Sequence, residues 1–169
     1  MSDTPASPAP QFEAQLDHVI PRLREHALRP APEGLTDPDE PTGERWEAGQ
    51  AWAHLAEFIP YWLGQFDGVL SAHSDEPVPF GRVKTDAVRT EPIERDRHVP
   101  IEELWHRMEG QLEDVRAFLR RLTPEDWSRR GLHKTLGPMD MRTMMQRFIV
   151  GHLKEHADQL DGLEAGGVA

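Results

Sequence analysis

The sequence predicts an all-α fold: a four-helix bundle with a long crossover between the second and third helices. Three observations predict it. Apolar residues recur at helical spacing in four long segments. No stretch alternates convincingly at period two, so no sheet is expected. The chain has 169 residues, enough for one domain of four helices of about twenty residues each plus connections.

The first ten residues are rich in Ser, Thr, Pro and Ala and read as a loose tail rather than a signal peptide. Residues 11–163 are expected to form the single domain, and 164–169 a flexible C-terminal tail. The first helix is placed at Gln11 to Leu28 on the stripe Phe12, Leu16, Val19, Ile20 and Leu23. Pro21 interrupts it, which predicts a kink or a late start. Arg29 to Gly43, with four prolines and two glycines, is a loop. The second helix is placed at about Glu44 to Leu70, with Ala51, Leu55, Phe58, Ile59, Trp62, Phe66 and Val69 inward. Pro60 crowds the carbonyl of Ala56 and predicts a kink one turn beyond His54.

Ser71 to His98 is the longest connection, 28 residues. A segment of that length can cross the bundle and make the second and third helices parallel, or it can cover a site. The third helix follows the stripe Ile101, Leu104, Trp105, Met108, Leu112, Val115, Leu119 and Leu122. Thr123, Pro124, Glu125 and Asp126 then read as a cap, a first-turn proline and early acids, so a short helical turn should follow. Gly131 to Met139 is read as another loop. Asp140 caps a fourth helix running to Leu163, with Met141, Met145, Phe148, Ile149, Leu160 and Leu163 inward.

Charge and composition exclude several functions. The net charge of −11 repels phosphate backbones, so nucleic acid is not an expected partner. No run of eighteen apolar residues exists, so no membrane span is expected, and a cytoplasmic location fits. There is no cysteine, which excludes disulfides, thiolate ligands and a cysteine nucleophile. Any thiol chemistry would need sulfur from outside. No glycine-rich phosphate loop or Gly-x-Ser-x-Gly turn is present.

The histidines carry the chemistry. His152 and His156, four residues apart, project from one side of the fourth helix, about 40° apart, and fall in its apolar stripe. Two imidazoles so placed can share one metal ion. His54 lies at the edge of the second helix's stripe and supplies a third ligand if the two helices meet. Three histidines without cysteine suit zinc, nickel or another first-row divalent ion, and three protein ligands leave positions open for a substrate. Glu155 completes an H-x-x-E-H pattern, but only 13 residues follow His156, too few for the distant third ligand of that peptidase class. Glu155 is the candidate catalytic base, or else a hydrogen-bond partner at the site's border. The pairs His54 with Glu57 and His152 with Glu155 run opposite to the Glu-x-x-His order of di-iron bundles. The other six histidines, His18, His26, His73, His98, His106 and His133, are read mostly as surface residues.

Trp52-Ala53-His54-Leu55-Ala56-Glu57-Phe58 resembles the second-helix motif of the DinB/YfiT-like superfamily, and Gly151-His152-Leu153-Lys154-Glu155-His156-Ala157-Asp158-Gln159-Leu160 resembles its fourth-helix motif. The resemblance covers most of residues 11–163. It implies a bundle of up-down-down-up order and a divalent metal, zinc or nickel, on His54, His152 and His156. It also implies a transferase that joins a low-molecular-weight thiol (mycothiol, bacillithiol or glutathione) to a small electrophile through a metal-bound thiolate. Homodimers are frequent among such relatives. Two rivals remain: a metal-activated hydrolase that uses bound water, and a non-enzymatic helical interaction module.

Overall fold

A computed structural model describes residues 6–166, with side chains through Leu163. The expected tails fall partly at residues 1–5 and 167–169, outside the described residues. The elements in chain order are α1 (Ala9–Ala27), α2 (Ala48–Ser71), β1 (Val78–Phe80), α3 (Ala87–Asp96), α4 (Ile101–Arg121), α5 (Pro124–Ser128), β2 (Arg130–His133), β3 (Gly137–Asp140), α6 (Met141–Met145), a π-helical turn (Gln146–Val150) and α7 (Gly151–Gly166). The fold is mostly helical, as predicted. Ala9 and Pro10, assigned to the tail from the sequence, belong to α1, and α7 runs past Leu163 to Gly166.

Four long helices share one apolar core. α1 packs against α4 and α7, and α2 packs against α3, α4 and α7. Trp52 meets Trp105 edge-on at 6.2 Å between α2 and α4, and Phe66 meets Phe118 at 6.1 Å along the same seam. Phe12 of α1 stacks on Trp127 of α5 at 5.7 Å. The two capping expectations hold: Thr123 Oγ1 accepts from the Asp126 amide at 3.3 Å, and Asp140 Oδ1 from the Thr143 amide at 2.8 Å. The second helix starts later than the sequence placed it, at Ala48, with Glu47 as its cap. No described helix is long and apolar enough to cross a membrane.

The prolines do not end their helices. α1 continues through Pro21 and α2 through Pro60. Pro60 has no N–H, so the carbonyl of Ala56 loses its helical donor. Gln111 of α4 replaces it, its Nε2 donating to that oxygen at 2.9 Å. Replacing Gln111 with Met is therefore expected to cost about 1–2 kcal/mol, the penalty of a buried acceptor left unpaired. Adding Pro60→Ala restores a backbone donor and should recover part of that loss. A double-mutant cycle in urea checks it; additive effects would show that the two sites are not coupled.

Two expectations need correction. The first is that no sheet would form. A three-stranded sheet is present, with β1 parallel to β2 and β2 antiparallel to β3. Its strands are three or four residues long and carry Pro79 and Pro138, so no period-two pattern could register. The supposed loop Gly131 to Met139 is the β2–β3 hairpin. The second is the connection from Ser71 to His98, which contains β1 and α3 rather than loop alone. α3 holds Pro92 in its interior, and the freed carbonyl of Val88 accepts from Arg82 Nη1 at 3.1 Å. Gly81 just before it has φ +91°, and a Cβ there would lie 2.5 Å from the His133 ring. That turn aims Arg82 at α2.

Candidate metal centre

The structure brings His54, His152 and His156 together. His54 Nε2 lies 2.9 Å from His152 Nε2, and His156 Nε2 lies 3.1 Å from the same atom. His54 and His156 are buried, and His152 is half-buried. Three elements make this possible. α2 supplies His54 where it crosses α7, and α7 supplies the pair four residues apart. The loop before α2 supplies a lid: Trp46 and Thr36 are tied by Trp46 N to Thr36 Oγ1 at 2.9 Å and by Thr36 N to Trp46 O at 2.7 Å. Trp46 then stacks on His156 at 6.2 Å and meets His54 edge-on at 5.2 Å. Phe58 closes the cluster on another side, 4.9 Å from His152.

The second nitrogen of each ring has its own partner, three residues further along the same helix. His54 Nδ1 faces Glu57 Oε1 at 2.7 Å, His152 Nδ1 faces Glu155 Oε2 at 3.1 Å, and His156 Nδ1 faces Gln159 Oε1 at 2.8 Å. An ionised carboxylate only accepts, so Nδ1 of His54 and His152 carries the proton, and the Gln159 carbonyl sets His156 the same way. All three Nε2 lone pairs then converge. Two such lone pairs 2.9 Å apart repel unless a cation lies between them. Tetrahedral zinc with N ligands at ~2.05 Å needs nitrogens ~3.3 Å apart. The observed spacings need only a few tenths of an ångström of expansion. The donor set therefore fits one borderline divalent ion, and the Nδ1 partners match the hydrogen-bonded outer shell usual for metal-binding histidine.

Glu57 is itself anchored. Arg82 Nη2 donates to its Oε1 at 2.6 Å. Burial pushes the Glu57 carboxyl up, and Arg82 opposes that shift. Burial also holds His54 well below the usual imidazole range, with smaller contributions from His156, His152, Arg89 and Arg82. His156 is lowered from 6.5 to about 3, first by burial and then by His152. Metal ligation requires neutral imidazole, so both shifts favour it. They also make stability depend on pH. In metal-free protein the unfolded chain takes up a proton at His156 near pH 6.5 and the folded chain only near 3, so stability falls as pH drops below about 6.5. The expected slope is up to ~1.4 kcal/mol per pH unit for each such histidine. Urea titration of chelator-treated protein should show it, and His156→Gln should flatten the curve. An equally steep curve in that variant would assign the acid sensitivity to other groups.

A cavity of about 200 Å³ opens onto the three rings, and Trp46, Lys84, Arg89 and Glu155 also line it. Glu155, the candidate base, is exposed, and its hydrogen bond from His152 lowers its pKa, which suits an acceptor better than a base. Of the six histidines read mostly as surface, four are exposed, but His26 and His133 are buried. His133 Nε2 pairs with the Arg82 carbonyl at 3.1 Å, away from the cluster.

The sequence itself places the chain among known proteins, because the profile of the DinB superfamily matches residues 15–160. The chain belongs to the DinB superfamily. Solved structures agree on the fold. An uncharacterized protein from Clostridium difficile 630 superposes with a TM-score of 0.65 at 10% identity, over 93% of this chain and 95% of that one. A protein from Streptococcus pneumoniae also gives 0.65 at 10% identity, over 95% of this chain and 92% of that one. No curated protein matches the sequence. The DinB assignment and a three-histidine group able to hold a metal ion rest on separate observations, one on sequence and one on geometry.

Sequence reasoning missed several participants. Glu57 and Gln159 carried a readable signal, since each histidine of the cluster is followed three residues later by a side-chain acceptor. Arg82, Arg89 and Trp46 come from irregular or misread segments and offered no spacing to read.

Proposed function

We propose that this DinB protein is a metal-dependent enzyme that transfers a low-molecular-weight thiol to a small electrophile. The carrying observation is the convergence of three Nε2 atoms whose Nδ1 partners are all acceptors. His54, His152 and His156 would hold the ion, zinc or nickel. A bound divalent ion would lower the pKa of a sulfhydryl or water that reaches it. The chain's own residues do the rest. Glu57, Glu155 and Gln159 fix the imidazole tautomers, Arg82 fixes Glu57, and Trp46 and Phe58 limit water. The long segment between α2 and α4 supports an up-down-down-up order of the four long helices.

Thiol transfer is preferred over hydrolysis for a chemical reason. Water must be moved much further in pKa than a thiol, from ~15.7 against ~8.5, and gains most from a free base nearby. Glu57 is engaged by His54 and Arg82, and Glu155 by His152. The chain has no cysteine, so the sulfur would come from a cosubstrate. Assays of zinc-loaded protein with monochlorobimane, with and without glutathione or cysteine, test the reading. Turnover that needs thiol and vanishes in His54→Ala supports it. Thiol-independent ester hydrolysis would favour the hydrolase, and no turnover with retained metal would leave a binding module.

A further inference from the structure

Arg89 is the buried cation that the metal chemistry does not use. It projects from α3 into the wall of the cavity above the three histidines and is 8% exposed. Its Nη1 donates to the Lys84 carbonyl at 2.8 Å. Its only carboxylate among the described residues is half-exposed Glu44, reached at 3.4–3.5 Å through one oxygen. Charge-assisted bonds of this kind are usually near 2.7–2.9 Å, so the guanidinium is underused. Its guanidinium carbon lies over Trp46, 5.1 Å from the ring centroid, so the group is packed in place rather than free to swing into water. The Trp46 indole N–H, in the same wall, finds no acceptor among the described residues.

Lys84 is the second cation of the cavity, paired with Asp39. Arg89 and Lys84 line the same cavity as the three rings, so both face a ligand that enters it. Three acids, Asp39, Glu44 and Glu155, also line the cavity. Asp39 is held by Lys84 and Thr42, and Glu155 by His152. That leaves Arg89, with its long contact to Glu44, as the cation least neutralised. A chain of net charge −11 gains nothing for solubility from burying a weakly paired arginine beside a cationic centre. A ligand carboxylate would supply a closer partner than Glu44 and take a planar, two-pronged grip. The cavity, about 200 Å³, lies below the ~300–1,000 Å³ of common small-molecule pockets, so the ligand, or the part of it that enters, is small.

The geometry points to an anion subsite at Arg89: the substrate or thiol cosubstrate of this centre carries a carboxylate within a few bonds of its reacting atom. This rests on the metal-site reading above and specifies its ligand class. Calorimetry on the zinc-loaded full chain tests it with a matched pair, mercaptoacetate and 2-mercaptoethanol. Wild type should bind mercaptoacetate roughly tenfold more tightly or better. In Arg89→Met that preference should shrink to about twofold or less, with 2-mercaptoethanol affinity and zinc content unchanged. Arg89→Lys, which keeps the charge and loses the fork, should fall between. Equal binding of both probes by wild type overturns the subsite, leaves the metal–thiol reading standing, and needs no variant to fold. A preference that persists in Arg89→Met also overturns it, since chelation by the carboxylate then explains the preference.

Discussion

Prepared without chelator, the protein is expected to carry about one divalent ion per chain, and His54→Ala almost none. Even hydrogen-bond partners outside a metal's ligands are worth about 10–100-fold in affinity. Removing a ligand itself should exceed that, so a loss of at least ~100-fold is expected. His54 is the informative choice because it alone comes from α2, while the other two share α7. If the ion sits among all three rings, its removal also uncouples the two helices. Chelation should then lower the melting temperature of wild type and leave that of His54→Ala nearly unchanged. Elemental analysis and thermal denaturation read both effects. Full metal content in His54→Ala would mean that the convergence of the three nitrogens has another purpose.

Much of this centre was readable in the amino-acid sequence. The i, i+4 histidines on an apolar face favoured a metal over a purely packed role, and His54 gained meaning once α2 and α7 were expected to touch. Apolar periodicity located α1, α2, α4 and the helical region after Asp140, because long amphipathic helices repeat their signal over several turns. The sheet was illegible for the opposite reason: strands of three or four residues repeat nothing. α3 was hidden by Pro92, which reads as a breaker until Arg82 is seen to bond the carbonyl that the proline frees. Gln111 does the same for Pro60. In both cases a long polar side chain from outside the helix repairs it, Gln111 from another helix and Arg82 from the turn before α3, and the spacing of apolar residues records neither partner. The cavity wall escaped for a related reason. Arg89, on α3, and Trp46, in the loop before α2, reach the site through tertiary packing, not through spacing along the helices that carry the histidines.

Gly151→Ala is expected to damage both fold and site, although alanine is normally the better helix former. The helix that carries His152 and His156 contains a π-helical turn at Gln146–Val150, closed by the Gly151 N–H on the Gln146 carbonyl, five residues back. The wide turn brings that oxygen inward. A Cβ on residue 151 would lie 2.4 Å from it and 3.0 Å from Gln146 Nε2. The backbone must therefore shift, and the segment next in line is the one that aims the histidines. The turn's extra residue rotates the rest of the helix by ~100° relative to an uninterrupted α-helix, so a change of winding here would swing His152 and His156 away from His54. Overpacking of this kind costs ~1–3 kcal/mol, more than the ~0.5–1 kcal/mol that glycine-to-alanine returns in a helix. A net loss of roughly 1–2 kcal/mol is expected, together with weaker metal binding. Gly162 is the internal control. It lies in the same helix, and a Cβ there meets nothing within 4 Å. Gly162→Ala should raise stability by ~0.5–1 kcal/mol and leave metal content untouched. Urea denaturation and zinc titration of the two variants separate the effects: shifts of the same sign at both positions would show that the π-turn makes no special demand for glycine at residue 151.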